Sequence, residues 1–267
     1  MSANGQILKI QNISLHFGGI QALNQISLEV KQGLLFSLIG PNGAGKTSLV
    51  NCISNFYHPG EGRIIFKDRD ITQLKSHEVV RCGISRTFQN IELFKEMTVL
   101  DNIKLGRHIH LKSGPVSGML YWGKARREER ELEEFLDKEI ITFLNLSSIK
   151  DSIVSTLPYG LQKRVDLARA LACKPEFLIL DEPVAGMNRE ESRDMIDHVL
   201  QIKKAWNLTV LLIEHDMEVV MNISDWIAVL NFGEKMAEGT IGEVQQNPEV
   251  IRIYLGHAYT PKEGKNP

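Results

Sequence analysis

A chain of 267 residues is longer than a minimal domain and suits one α/β unit that carries an inserted lobe. With 43% hydrophobic and 24% charged residues it can bury a sizeable core, which excludes wholesale disorder. A formal net charge of -2 lacks the basic footprint of a dedicated nucleic-acid binder, so no DNA or RNA partner is expected. The three cysteines, Cys52, Cys82 and Cys173, are too scattered for a zinc or redox motif.

Residues 1–10 have neither the basic start nor the long apolar stretch of a secretory signal, and the longest apolar runs are strand-sized. A cytoplasmic chain is therefore expected, one that meets a membrane only through a partner that spans it. Residues 7–39 alternate apolar and polar positions around Gly18-Gly19 and Gly33, which predicts short antiparallel strands joined by turns. The last of these, Leu34 to Ile39, is nearly all apolar and suits a strand covered on both faces; a glycine-rich turn and a helix from about Gly45 follow. Residues 59–75 return to short, turn-rich strands, and the stretch from Thr98 to Ile149 predicts an inserted helical lobe. Within that lobe Gly114 to Gly123 reads as a loop, and the charged run Lys124 to Glu139 reads as a solvated helix face.

From Leu161 the pattern alternates. It predicts a helix to Ala172, a strand Phe177 to Leu180, a helix Glu190 to Ala205, a strand Leu208 to Ile213, a helix to Ile223 and a strand Trp226 to Leu230. Helices between buried strands predict a parallel sheet. The tail after Tyr259 reads as frayed.

Gly40-Pro41-Asn42-Gly43-Ala44-Gly45-Lys46-Thr47 fits G-x-x-x-x-G-K-[ST] between the strand and helix that such a loop requires, with Ser48 following in the helix. Its glycines let the backbone curl so that N–H groups point at phosphate oxygens, and the helix start adds its positive end. Lys46 is expected to reach the β- and γ-phosphates of ATP, and the Thr47 hydroxyl to ligate Mg2+. The strand Phe177 to Leu180 delivers Asp181 and Glu182 at its carboxyl end, where a parallel sheet places ligands. Two such acids serve equally well for capping when alone; beside a phosphate loop they read as a metal ligand, Asp181, and a general base, Glu182.

Leu157-Pro158-Tyr159-Gly160-Leu161-Gln162-Lys163-Arg164 precedes that acidic strand and resembles the LSGGQ-type signature of ATP-binding-cassette (ABC) ATPases. Other marks of that family stand in order: Phe17 at the adenine-stacking position, Gln89 as the Q-loop glutamine, Ala185 to Asn188 as the D-loop and His215 as the switch histidine. Arg86 to Asn90 through Lys95 to Val99, Ile213 to Met217, and Asn247 to Ile251 through Tyr254 to Gly256 resemble, more narrowly, the LivG type of branched-chain amino-acid importer ATPase.

The resemblance implies a single ABC ATPase domain. Its core is a P-loop, RecA-like parallel sheet formed by 1–88 and 160–259, with an N-terminal antiparallel β subdomain, an α-helical subdomain at about 90–159 and a tail at 260–267. It also implies that Gln89 senses the γ-phosphate and metal, that Tyr159 and Gly160 present the signature to a nucleotide, and that His215 assists hydrolysis. The implied partners are a second cassette facing the first head to tail, permease subunits docked near Gln89 to Met97, and, indirectly, an extracytoplasmic binding protein. The chain would then lie on the cytoplasmic face of the cell membrane.

Two positions depart from the family pattern. Pro158 replaces the signature serine and brings neither hydroxyl nor N–H, and Asn188 replaces the D-loop aspartate. These departures suggest a weakly hydrolysing regulatory subunit as one alternative, and a non-transport ABC ATPase stands as another. A P-loop kinase or GTPase is disfavoured, because such proteins lack the signature and the switch histidine.

Overall fold

A computed structural model describes residues 5–107 and 130–255. The expected loop at 114–123, the first part of the charged run 124–139 and the tail after 259 lie outside the described residues. In chain order the elements are β1 (Gln6–Phe17), β2 (Ile20–Lys31), β3 (Leu35–Ile39), α1 (Lys46–Ile53), β4 (Glu61–Phe66), β5 (Arg69–Asp70), α2 (Ser76–Arg81), β6 (Ile84–Arg86) and α3 (Val99–Arg107). They continue with α4 (Tyr159–Ala172), β7 (Phe177–Asp181), α5 (Arg189–Trp206), β8 (Thr209–Ile213), α6 (Met217–Ile223), β9 (Trp226–Asn231), β10 (Glu234–Gly239), α7 (Ile241–Gln246) and α8 (Pro248–Leu255). The chain forms two compact units, Met1–Gln73 with Leu211–Pro267, and Leu74–Val210.

In the first unit, β1 and β2 are 12 residues each, longer than the short strands the alternation suggests. Four register shifts interrupt the pairing and hide that length from the alternation, and the two central ones are bulges with left-handed residues. Between Ile10 and Ile13 β1 carries one residue more than its partner, with Asn12 at φ 50, and between Ile13 and Leu15 the extra residue is on β2, with Gln25 at φ 48. Each bulge breaks the two-residue period, and together they restore register. Side chains secure them: Asn12 N donates to Ser27 Oγ at 2.9 Å and Gln25 N to Ser14 Oγ at 3.2 Å. The antiparallel sheet has the order β2-β1-β4-β5.

β3 is buried at all five positions and pairs in parallel with β9 from Phe36↔Trp226 to Ile39↔Val229; β10 returns antiparallel on β9. Asp225 fixes this register, because its carboxylate accepts from Leu35 N at 2.7 Å while its own N–H donates to Leu35 O at 2.8 Å. Ile39, Val220, Ile227, Val229, Val244 and Val250 form one core cluster, which draws α6, α7 and α8 onto the strands. α8 begins with Pro248, whose missing N–H costs nothing at a first helical position, after Asn247, whose side chain accepts from Glu249 N at 2.9 Å.

In the second unit, β6 and β7 pair in parallel from Ile84↔Phe177 to Arg86↔Ile179. α3 packs against α4, and Asn102, fully buried, ties the turn before it by accepting from Phe94 N at 2.8 Å and donating to Phe94 O at 3.0 Å and Thr98 O at 2.9 Å. A helical stretch over 130–136 runs into a π-turn at Asp137–Ile141, and 3-10 turns follow at Ser147–Ile149 and Val154–Thr156. α5 buries Met195, Ile196, Val199 and Ile202 at helical spacing. Strand β8 is buried throughout, and the division between the units falls within it.

Candidate functional site

The sequence-predicted site residues divide between the units: Phe17, Gly40 to Ser48 and His215 lie in the first, and Gln89, Tyr159, Gly160, Asp181 and Glu182 in the second. In the first unit the phosphate loop leaves the end of β3 and enters α1. Its glycines are demanded by packing as much as by conformation. Gly40 has φ +150, and a Cβ there would meet Leu230 O at 2.1 Å; Gly45 has φ +99, and a Cβ would meet Ala22 O at 2.8 Å and Leu23 Cδ2 at 2.9 Å. Either substitution forces the loop off the strands that support it.

The turn between β9 and β10 forms a further support that sequence reasoning missed. Gly233 N donates to Ala44 O at 3.0 Å, and Gly233 O accepts from Asn24 N at 2.8 Å. A turn is legible at Phe232-Gly233, but nothing in the sequence says what it docks on.

Lys46 is buried, and its ammonium donates to Gly40 O at 2.6 Å and Pro41 O at 3.0 Å, so the loop's own carbonyls hold the charge inside its curl. Ala44 N donates to Pro41 O at 3.1 Å, while among the described residues no acceptor meets the amides of Gly43, Gly45, Thr47 or Ser48. Unmet N–H groups at the head of a helix, beside a cation, fit a polyphosphate. Phe17 is 45% exposed at the end of β1, and its ring meets Tyr57 edge-on at 5.1 Å, leaving an aromatic face to solvent. His215 is exposed at the end of β8, and its amide donates to the fully buried Glu214 Oε2 at 3.2 Å.

In the second unit, the parallel pairing of β6 with β7 brings the Q-loop strand beside the acidic strand residue by residue. Asp181, 2% exposed, forms an ion pair with Arg86 at 2.7 Å, and its amide donates to Thr87 Oγ1 at 3.3 Å. Glu182 follows with φ 49, a left-handed backbone that side-chain-bearing residues seldom adopt, and Gln89 Nε2 donates to Glu182 Oε2 at 2.9 Å. The two predicted catalytic residues of this unit are therefore in direct contact. Arg86 and Lys163 were not singled out as site residues from the sequence, yet the first pairs with Asp181 and the second donates to Gln89 O at 2.8 Å. Asp166 lies next to them; burial pushes its carboxyl up, against the opposing pull of Arg169, the Phe88 amide and Lys163. Folding thus favours its protonated form, and the stability owed to this one group falls as pH rises through the carboxylate range.

Pro158 caps α4 through its carbonyl, which accepts from Leu161 N at 3.0 Å and Gln162 N at 3.1 Å. Among the described residues no acceptor meets the amides of Tyr159 or Gly160. Tyr159 is 45% exposed and lies over the D-loop, where a Cβ at Gly186 would touch its ring at 3.1 Å. Asn188 caps α5: its side chain accepts from Glu190 N at 2.9 Å and Glu191 N at 3.0 Å, and Glu191 returns a bond to Asn188 N at 3.0 Å. Asparagine caps as well as aspartate does, so this departure keeps the helix start. Asn188→Ala is expected to lower stability by about 1 kcal/mol in thermal unfolding, a loss that Asn188→Asp avoids. Burial pushes the Cys52 thiol up to about 12 and raises that of Cys173, as expected of unreactive core thiols.

Comparison with known proteins adds to this geometry. Residues 23–185 match the family model described as "ABC transporter", and residues 234–260 match "Branched-chain amino acid ATP-binding cassette transporter". The chain is 41% identical over 252 residues to the high-affinity branched-chain amino acid transport ATP-binding protein BraF of Pseudomonas aeruginosa, covering 94% of this chain and 98% of that one. It is 41% identical over 254 residues to LivG of Escherichia coli, which bears the same description, with the same coverage. A crystal structure of the ADP conformation of an ATP-binding cassette of an ABC transporter superposes with a TM-score of 0.81 at 38% identity, covering 94% of this chain and 99% of that one. The α/β P-loop architecture expected from the sequence is the one observed.

Proposed function

The chain belongs to the ABC transporter family as an ATP-binding, ATP-hydrolysing subunit, and from that premise we propose that it drives a membrane importer of branched-chain amino acids. The observation that carries the reading is the phosphate loop, with its unmet amides and enclosed Lys46 at the head of α1. The substrate assignment rests on relatives named for branched-chain amino acid transport and on the terminal family segment at 234–260. Among the described residues no helix is long and apolar enough to cross a membrane. As the family membership implies, permease subunits would hold the chain at the cytoplasmic face. An extracytoplasmic binding protein would deliver the amino acid to those permeases, and a second cassette would pair with this one.

The residues divide the work. The loop amides and Lys46 bind the triphosphate of ATP, and Phe17 stacks on the base. Thr47, Asp181 and Gln89 offer hard oxygen donors of the kind magnesium takes, and among the described residues no group of three His, Cys, Asp or Glu competes as a metal cage. Magnesium, when bound, neutralises charge that develops on the transferred phosphate oxygens. Glu182 takes the proton of the attacking water, Gln89 orients that carboxylate, and His215 assists from the end of β8. Tyr159 and Gly160 would present the α4 amides to nucleotide held by the second cassette, so that ATP joins the pair. The helical lobe at about 90–159 would pass the motion to the permeases.

Coupled transport tests this reading. Reconstituted with branched-chain permeases and their binding protein in vesicles, the chain should hydrolyse ATP several-fold faster when leucine is supplied and should accumulate leucine; ATPase indifferent to every branched-chain amino acid would overturn the substrate assignment. Phe17→Ala should weaken ATP binding by about 1–2 kcal/mol, roughly five- to thirtyfold, and leave affinity for inorganic triphosphate unchanged, since only the base loses its stacking partner.

A further inference from the structure

Three side chains on one face of α4, Lys163, Asp166 and Arg169, stand at i, i+3 and i+6, and all three hold the backbone of one short segment. Lys163 Nζ donates to Gln89 O at 2.8 Å, Asp166 Oδ2 accepts from Phe88 N at 3.4 Å, and Arg169 Nη1 donates to Glu92 O. Arg169 also pairs with Asp166 at 2.6 Å, which braces the middle of the row. Lys163 and Asp166 are 4% and 2% exposed, so their contacts to Gln89 and Phe88 are largely shielded from water, whereas the Arg169–Glu92 bond is exposed.

Lys163 reaches further than its neighbours, because the same ammonium donates to Glu182 O at 3.3 Å. Glu182 needs such a hold. Its φ of 49 lies in the left-handed region, which a residue with a side chain keeps only when its surroundings enforce it. That carbonyl also accepts from Ala185 N at 3.2 Å. The lysine thus grips the main chain of both partners in the Gln89–Glu182 pair, whose side chains meet at 2.9 Å.

We propose that this face of α4 is a splint for the segment 88–92, and that Lys163 is a positioning residue for ATP hydrolysis, setting Glu182 and Gln89 in their working relation. The proposal rests on the reading of Glu182 as general base. An ammonium with three donors on a flexible stem can serve two carbonyls set at an angle, whereas a guanidinium keeps the charge but presents a rigid planar fork. Without either, Glu182 relaxes toward an ordinary backbone and its carboxylate turns from the water it must face. A displacement of that kind slows chemistry without weakening nucleotide binding.

The test uses Lys163→Met and Lys163→Arg in the full chain, with kcat, KM, ATP affinity by calorimetry, and amide hydrogen exchange over residues 86–93. Lys163→Met is expected to lower kcat roughly thirtyfold with ATP affinity within about threefold of wild type, and to speed exchange at 88–92 about tenfold. Lys163→Arg should recover a large part of kcat. A folded Lys163→Met with wild-type kcat and unchanged exchange overturns the proposal, as does a loss of ATP affinity that accounts for the whole rate effect. Should Lys163→Met not fold, Arg169→Gln decides, because Arg169 holds the segment through Glu92 and Asp166 and touches neither Gln89 nor Glu182. Faster exchange at 88–92 with a lowered kcat supports the splint, and no change in either overturns it. Glu182→Gln, run alongside, separates the two ideas: wild-type turnover there removes the general base, while the exchange data still judge the splint.

Discussion

Glu182→Gln should bind ATP as the wild type does and hydrolyse it about a thousandfold more slowly, within the range that a lost general base produces. The substitution is nearly isosteric, and an amide oxygen can still accept the bond from Gln89 Nε2, so the local geometry survives. What it removes is the capacity to take a proton. Glu182 suits that task through its placement just after a fully buried strand, where its left-handed backbone and the bond from Gln89 fix its carboxylate. Equilibrium binding together with phosphate release in single-turnover mixing separates the two effects. If paired cassettes are the working form, the variant should also accumulate as an ATP-dependent dimer in size-exclusion chromatography. Turnover at the wild-type rate would remove Glu182 from its role.

Arg86→Ala should strongly destabilise the fold, costing about 3–5 kcal/mol because it leaves Asp181 buried without its counter-charge. The side chains of Arg86 and Asp181 are 8% and 3% exposed, so water cannot take over from the guanidinium. For a chain of this size such a loss lowers the midpoint of thermal unfolding by roughly 10 °C. Adding Asp181→Asn should return much of that stability, since the uncompensated charge goes with it. A drop of less than about 2 °C in Arg86→Ala would mean that the pair contributes little.

Local signals in the sequence gave the phosphate loop its place and most of the alternating second half its elements, because both are written over short distances. The observed β7, α5 and β9 lie within a residue of the expected Phe177 to Leu180, Glu190 to Ala205 and Trp226 to Leu230. The first strands were less legible. Asn12 and Gln25 each interrupt a two-residue period, so one long hairpin reads as several short strands, although the compensation between the bulges is plain once the register is known. Strand β6 has only three residues and gave no periodic signal of its own.

At the site, the residues that hold others in place were the hard ones to read. Arg86 meets Asp181 across 95 positions and Lys163 meets Gln89 across 74, and no local pattern encodes pairings at that separation. Gly233 is another case: its turn is visible in the sequence, whereas its bond to the phosphate loop is a property of the fold. Asn188 shows the converse. As a departure from a signature it raises a weakly hydrolysing subunit as an alternative, but in the structure it performs the ordinary work of a helix cap.

Calorimetric titration of the folded chain with ATP in the presence and absence of magnesium bears on the whole mechanism, with Lys46→Ala as the comparison. Saturable, magnesium-strengthened uptake at one site per chain, lost in Lys46→Ala, is the result that the amides around Lys46 predict. No uptake by the folded wild-type chain, or uptake that Lys46→Ala leaves intact, would contradict it.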